Sequence, residues 1–159
     1  MDQFSRRLIG FGVQLITADG PALCRLFNQA IAPQGRCLRL SFDHDPLFQF
    51  HRWQANLRVL GIEPIPTVPC VPVSHPFIER LIRTVRQEYL DQSFYWNAQD
   101  LERKLALFKS YYNTHRVHLG LAKTTPEELT GAPSPLVANL AHHRWQSHRR
   151  DLVQLPIAA

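Results

Sequence analysis

The sequence predicts an α/β domain with helices packed on a sheet. Three observations predict it. Residues 6–16 alternate in polarity, with Ile9, Phe11, Val13 and Leu15 on one face and Gly10 and Gly12 on the other, which is the two-residue period of a strand. Stretches with apolar residues at helical spacing follow that segment and recur along the chain. The apolar fraction, 45% of 159 residues, is enough for a buried core and too high for a disordered chain.

The elements follow in order. In "TADGPALCRLFNQAIA", Asp19 is the N-cap, Pro21 sits in the first turn, and Leu23, Leu26, Phe27, Ala30 and Ile31 form the stripe. "PQG" is a turn, and "RCLRLSF", residues 36–42, reads as a second strand. "LFQFHRWQANLRVLG" reads as one helix closed by Gly61. Pro64, Pro66, Pro69 and Pro72 impose extended backbone, a short strand and then a stiff loop. Ser74 caps "SHPFIERLIRTVRQEYL", with Pro76 in its first turn and Ile78, Ile82, Val85 and Tyr89 as its apolar stripe. A helix from about Asn97 to Arg116 carries Leu101, Leu105, Phe108 and Tyr112. "TTPEELTG" is a capped helical turn opened by Pro126. From Ala132 the pattern weakens to a peripheral helix and a basic tail.

Charge and composition narrow the function. Lys plus Arg is 18 against 13 for Asp plus Glu, a net +5, and the pI is near 9.5. That range suits a polyanion binder, and arginine suits bidentate phosphate contact. No apolar run is long enough for a membrane helix, and "MDQFSRRLIG" does not read as a signal peptide. Cys24, Cys37 and Cys70 are odd in number and widely spaced, which points to reduced thiols in the cytoplasm.

Two carboxylates stand out. Asp43 ends the second strand, where ligands bind in open α/β sheets. Glu79 lies in the first turn of the helix after Ser74 and shares a face with Arg83 and Arg86 at i, i+4 and i+7. A carboxylate with two arginines along one face suits a metal ion beside a phosphate backbone. Each piece alone has an ordinary explanation. An Asp after a strand forms turns, a first-turn Glu complements the helix dipole, and exposed arginines are solvated.

The chain resembles the catalytic cores of DDE transposases and retroviral-type integrases. The resemblance runs over roughly residues 1–130, through "MDQFSRRLIGFGV", "LSFDHDPLF", "VPVSHPFIERLIRTVRQEYLD" and "YYNTHRVHLGLAKTTPEEL". Its most specific part is a Tyr-Asn-x-x-Arg-x-His segment followed by Thr-Pro-x-Glu, here Tyr112, Asn113, Arg116, His118, Thr125, Pro126 and Glu128. The spacing from Asp43 to Glu79 is also that family's. It makes Asp43, rather than Asp45, the second acid and Glu79 the third.

The resemblance implies a ribonuclease H-like three-layer fold, a mixed sheet with helices on both faces. Residues 1–130 would form the catalytic core and 131–159 a basic extension. It implies cleavage and transfer of DNA strands, with Mg²⁺ or Mn²⁺ held by Asp43 and Glu79. Arg83 and Arg86 would bind DNA. The partners implied are element ends, target DNA and further copies of the chain, in the cytoplasm at the nucleoid, with no membrane.

Asp2 is not carried over as the first acid. "DQFSR" looks like the turn between the family's second and third strands, which places the first acid on a strand upstream of Met1. On that reading the first strand is missing and the chain is a truncated core with negligible strand transfer alone. The alternative is Asp2 as a ligand. Two departures from the family pattern weaken the site: Phe42 stands where a small polar residue is usual, and Asp45 stands where retroviral relatives have Gly. A competing reading is an inactive fragment that binds DNA or associates with full-length transposase. A structure-specific nuclease on the same fold is disfavoured by the Tyr-Asn-x-x-Arg-x-His segment.

Other clusters are read as structural. His142, His143 and His148 have no acid or cysteine at ligand spacing and belong to a solvated basic tail, with Arg144, Arg149 and Arg150. Trp53, Trp96 and Trp145 are packing residues. His115 and His118 follow a helix end and would cap its carbonyls.

Overall fold

The computed structural model describes residues 1–15, 17–35, 37–66, 76–131 and 143–158. The chain divides into two compact units, Ile9–Glu102 and Met1–Leu8 with Arg103–Ala159. The expected cap at Ser74, together with Pro69, Cys70 and Pro72, lies outside the described residues.

In the unit Ile9–Glu102, helix α1 (Gly20–Ile31) begins where the Asp19 carboxylate accepts the Ala22 N–H at 2.7 Å. This satisfies one of the amides that a helix start leaves without an internal partner. Strand β1 (Arg39–Phe42) pairs in parallel with β2 (Glu63–Pro66), in a register that sets Arg39 opposite Glu63. Those two side chains meet at 2.9 Å on the exposed face. As an exposed pair it contributes little to stability.

Between the strands the expected single helix is two. Helix α2 (Pro46–Gln49) is capped by Asp45, whose carboxylate accepts the Leu47 N–H at 2.8 Å. Phe50 is then extended (ψ 129°), and α3 (His51–Leu60) starts afresh. The reason is packing. Residues two apart on a continuous helix point about 200° apart, so Phe48 and Phe50 would diverge. The break lets both rings join the cluster around Trp53, Leu57 and Ile62. Gln54 donates to the Phe48 carbonyl at 2.6 Å and so supplies a partner lost at the break. Gly61 closes α3 with φ 66°, the left-handed conformation expected of it.

Trp53 is the centre of this core. Phe27 meets it edge-on at 5.0 Å, and Phe42 and Phe48 lie at 6.3 and 5.7 Å. Burying a side chain such as Leu57 completely contributes about 2 kcal/mol. The segment from Ile9 to Leu15 joins no ladder among the described residues, so the strand expected there is not formed as one. Its glycines instead allow close approach to α1. A Cβ at Gly10 would lie 2.8 Å from the Ala30 Cβ, and one at Gly12 would lie 3.0 Å from Leu26. A strand needs a hydrogen-bonding neighbour, and polarity alternation alone does not supply it.

Helix α4 (Pro76–Glu88) carries Glu79 in its first turn, as expected. Its buried row is Leu81 and Val85, with Tyr89 just beyond. Ile78 and Ile82 form the adjacent i, i+4 row and remain 38% and 54% exposed, which corrects the stripe expected from sequence. Among the described residues Cys24 and Cys37 are free thiols.

In the other unit, helix α5 (Ala98–Thr114) buries Leu105, Phe108 and Tyr112. Helix α6 (Pro126–Leu129) is opened by a capping box, with Thr125 and Glu128 each bonding the other's backbone N–H. Residues 143–158 form an antiparallel hairpin, β3 (His143–His148) and β4 (Val153–Ala158), where sequence suggested a helix and tail. Its turn holds Arg149, Arg150 and Asp151 at positive φ (58°, 55°, 67°). Arg149 is buried, with its guanidinium 5.4 Å from the Phe108 ring centre and 5.3 Å from that of Tyr111. Aromatic faces attract the cation, so Arg149 is a packing residue rather than a solvated one.

The hairpin also meets α5 through histidines. The His148 ring stands edge-on to His115 at 4.3 Å, and Tyr111 flanks both. Burial pushes both imidazoles below their ordinary pKa of 6.5, and the His148 charge adds to the effect on His115 while Glu127 opposes it. A histidine whose folded pKa is lowered favours the neutral ring. Its contribution to stability is therefore complete above about pH 6.5 and is lost as the pH falls below that. Thermal melting between about pH 7.5 and pH 5 is expected to show a falling midpoint. The double variant His115→Gln/His148→Gln is expected to flatten that dependence.

Candidate metal and nucleic-acid site

The candidate site begins at the end of β1. Alternation along the strand sends successive side chains to opposite faces. Phe42 turns inward and stacks against Phe48 at 4.9 Å, within the Trp53 cluster. Asp43 is therefore exposed. The Phe42 ring, a departure from the family pattern, packs into the core.

Asp43 lines a cleft of about 180 Å³ with Phe42, His44, Phe48, Gln49 and Gln54. One carboxylate oxygen, Oδ1, accepts the Asp45 N–H at 3.0 Å, which makes Asp43 a turn former as well as a cleft residue. Asp45 is committed to capping α2. The two aspartates are thereby separated by role.

Glu79, Arg83 and Arg86 are all exposed along one face of α4. Among the described residues no group of three His, Cys, Asp or Glu side chains is arranged to hold a metal ion. Asp2 is a turn residue: its carboxylate accepts the Phe4 N–H at 2.7 Å and the Ser5 N–H at 3.1 Å. The cleft residues His44, Gln49 and Gln54 were not singled out by sequence reasoning. The only signal was their closeness to Asp43, and the bend at Phe50 that gathers them is not visible from periodicity.

The family model for the Integrase core domain matches residues 60–126. The transposase for insertion sequence element IS904 of Lactococcus lactis subsp. lactis (strain IL1403) is 26% identical over 133 residues, 80% of this chain and 51% of that protein. The catalytic core domain of BIV integrase superposes with a TM-score of 0.58 at 23% identity, over 79% of this chain and 78% of that one. A chain of the simian T-cell lymphotropic virus intasome gives 0.60 at 17% identity, over 80% and 48%. The chain is thus similar to the Integrase core domain over residues 60–126 and to an insertion-sequence transposase over most of its length. Its fold is the ribonuclease H-like α/β fold of those integrase cores. It spans about half the length of the curated transposase it matches. No described helix is long and apolar enough to cross a membrane.

The residues of the motif that carried the resemblance make contacts that hold the fold. The buried Asn113 amide accepts the Leu8 N–H at 2.8 Å and donates to the Leu8 carbonyl at 3.0 Å, doing for Leu8 what a neighbouring strand would do. Arg116 lies over the Tyr112 ring at 5.4 Å, and His118 meets the same ring edge-on at 4.8 Å. Thr125, Pro126 and Glu128 build the cap of α6. Both histidines of the segment meet other rings: His118 meets Tyr112 and His115 meets His148. Asn113→Ala removes the partners of both the N–H and the C=O of buried Leu8, at about 1–3 kcal/mol per orphaned group. A loss of about 2–5 kcal/mol in urea unfolding is expected, whereas a neutral effect would show that Leu8 is solvated.

Proposed function

We propose that this chain supplies catalytic carboxylates for metal-dependent cleavage and transfer of DNA strands, the chemistry of transposition and DNA integration. The observation that carries the reading is the exposed Asp43 on the cleft at the C-terminal end of β1, in a chain similar to the Integrase core domain and to an insertion-sequence transposase. Cores of this family generally use a divalent metal. The donor set fits one: Asp43 and Glu79 are exposed carboxylates, hard oxygen ligands that suit Mg²⁺ or Mn²⁺. Oδ2 of Asp43 is the oxygen left after the Asp45 contact. When bound, the ion supplies Lewis acidity at the phosphodiester and lowers the pKa of its water.

The chain's own residues supply the positioning. Asp43 and Glu79 hold the ion. Arg83 and Arg86, exposed on the same face of α4 as Glu79, hold DNA phosphates. Partners on this reading are element ends, target DNA and further copies of the chain, at the nucleoid.

A second reading is favoured by one observation, the lack of a third ligand beside the two carboxylates among the described residues. On it the chain binds DNA, or associates with full-length transposase, without catalysis. A nicking assay with element-end DNA and Mg²⁺ or Mn²⁺ separates the two. The first reading expects metal-dependent nicking that falls about 100-fold or more in Asp43→Asn or Glu79→Gln. Binding without nicking in either metal places the chain in the second reading. On both, Arg83→Ala and Arg86→Ala are each expected to lower the salt slope of DNA affinity by about 0.9.

A further inference from the structure

We propose that the hairpin β3–β4 is a second DNA-contacting surface, which holds duplex DNA by its phosphates and reads no sequence. The inference rests on the DNA-processing reading above and adds a site in the unit that holds neither Asp43 nor Glu79.

Charge comes first. The unit Met1–Leu8 with Arg103–Ala159 has ten lysines and arginines against four aspartates and glutamates. The unit Ile9–Glu102 has eight against nine. The first therefore carries +6 and the second −1, which together make the chain's +5. Three of the four acids in the basic unit are also engaged inside it. Asp2 accepts the Phe4 and Ser5 N–H groups, Glu127 accepts the Thr114 hydroxyl, and Glu128 accepts the Thr125 N–H. An excess of this kind attracts a polyanion, and it belongs to the unit without the candidate metal ligands.

The hairpin presents that charge. Between His143 and Ala158 three arginines stand against one aspartate. Arg149 is buried on Phe108 and Tyr111, and with His148 beside it anchors the ribbon to α5. The anchor sustains a strained turn, in which Arg149, Arg150 and Asp151 all take left-handed backbone. Arg150, in that turn, and Arg144, near the other end of β3, are exposed. One arginine thus fixes the ribbon, and two face solvent.

Shape then favours a duplex. The major groove of DNA, about 12 Å wide, admits a two-stranded ribbon. Arg144 and Arg150 stand up to about 20 Å apart along the chain, enough to reach phosphates on both walls of the groove. Arginine meets a phosphate with two N–H donors. Such contacts position DNA and carry no sequence information.

The test uses the full chain without metal, so that binding is read apart from cleavage. Two labelled duplexes of unrelated sequence are titrated by fluorescence anisotropy over a range of salt. Arg144→Ala/Arg150→Ala is expected to lower the salt slope by about 1.8 and to weaken both duplexes equally, by about tenfold or more at low salt. Arg144→Lys/Arg150→Lys is expected to keep the slope. Arg25→Ala/Arg58→Ala makes the same charge change at exposed positions of the other unit and is expected to move the slope by less than about 0.5. A wild-type slope in Arg144→Ala/Arg150→Ala, or an equal loss in Arg25→Ala/Arg58→Ala, overturns the hairpin surface while the DNA reading stands. Unequal weakening of the two duplexes overturns sequence-independent contact. Tighter binding to phosphatidylserine vesicles than to either duplex at the same salt overturns DNA as the occupant. A wild-type chain that binds neither duplex overturns both readings.

Discussion

The direction of one side chain, Phe42, governs the rest. It enters the Trp53 core at the end of β1 and stacks on Phe48. Because strand neighbours point to opposite faces, its burial forces Asp43 outward. The same core draws in Phe48 and Phe50, which breaks the helix after Gln49 and folds Gln49 and Gln54 around Asp43. The cleft is thus a by-product of how three phenylalanines join the cluster around Trp53. Asp43 gains a fixed backbone setting from this, since the turn that follows it is held by its own carboxylate and by the Asp45 cap.

Much of this was legible in the sequence where the physics is local. A cap needs only an oxygen within reach of amides two or three residues on. Asp19, Asp45 and the Thr125–Glu128 box stand where their types predict. Gly61 closes α3 because a left-handed residue is required there. Glu79, Arg83 and Arg86 share an exposed face because helical spacing alone decides it.

What failed depends on distant partners. The bend at Phe50 exists because the cluster around Trp53, Leu57 and Ile62 takes in both the Phe48 and the Phe50 ring, and no helical period reports that. The row Ile78 and Ile82 is as apolar as Leu81 and Val85, and only packing decides which of the two is buried. Residues 9–15 alternate like a strand yet lack a ladder among the described residues. Leu8 finds its partner 105 residues away in the Asn113 side chain. The hairpin 143–158 was hidden because Arg149 and the histidines read as solvated charge, whereas they dock on Phe108, Tyr111 and His115. The residues of the Tyr-Asn-x-x-Arg-x-His segment and the Thr-Pro-x-Glu turn hold the fold, through the Asn113 bonds to Leu8 and the cap of α6.

The central claim is that Asp43 and Glu79 hold one divalent ion together. Mn²⁺ binding followed by electron paramagnetic resonance, on the chain alone and without DNA, tests it most directly. The account predicts a saturable site whose affinity falls about tenfold or more in Asp43→Asn and in Glu79→Gln alike. Wild-type affinity retained in either variant would contradict it.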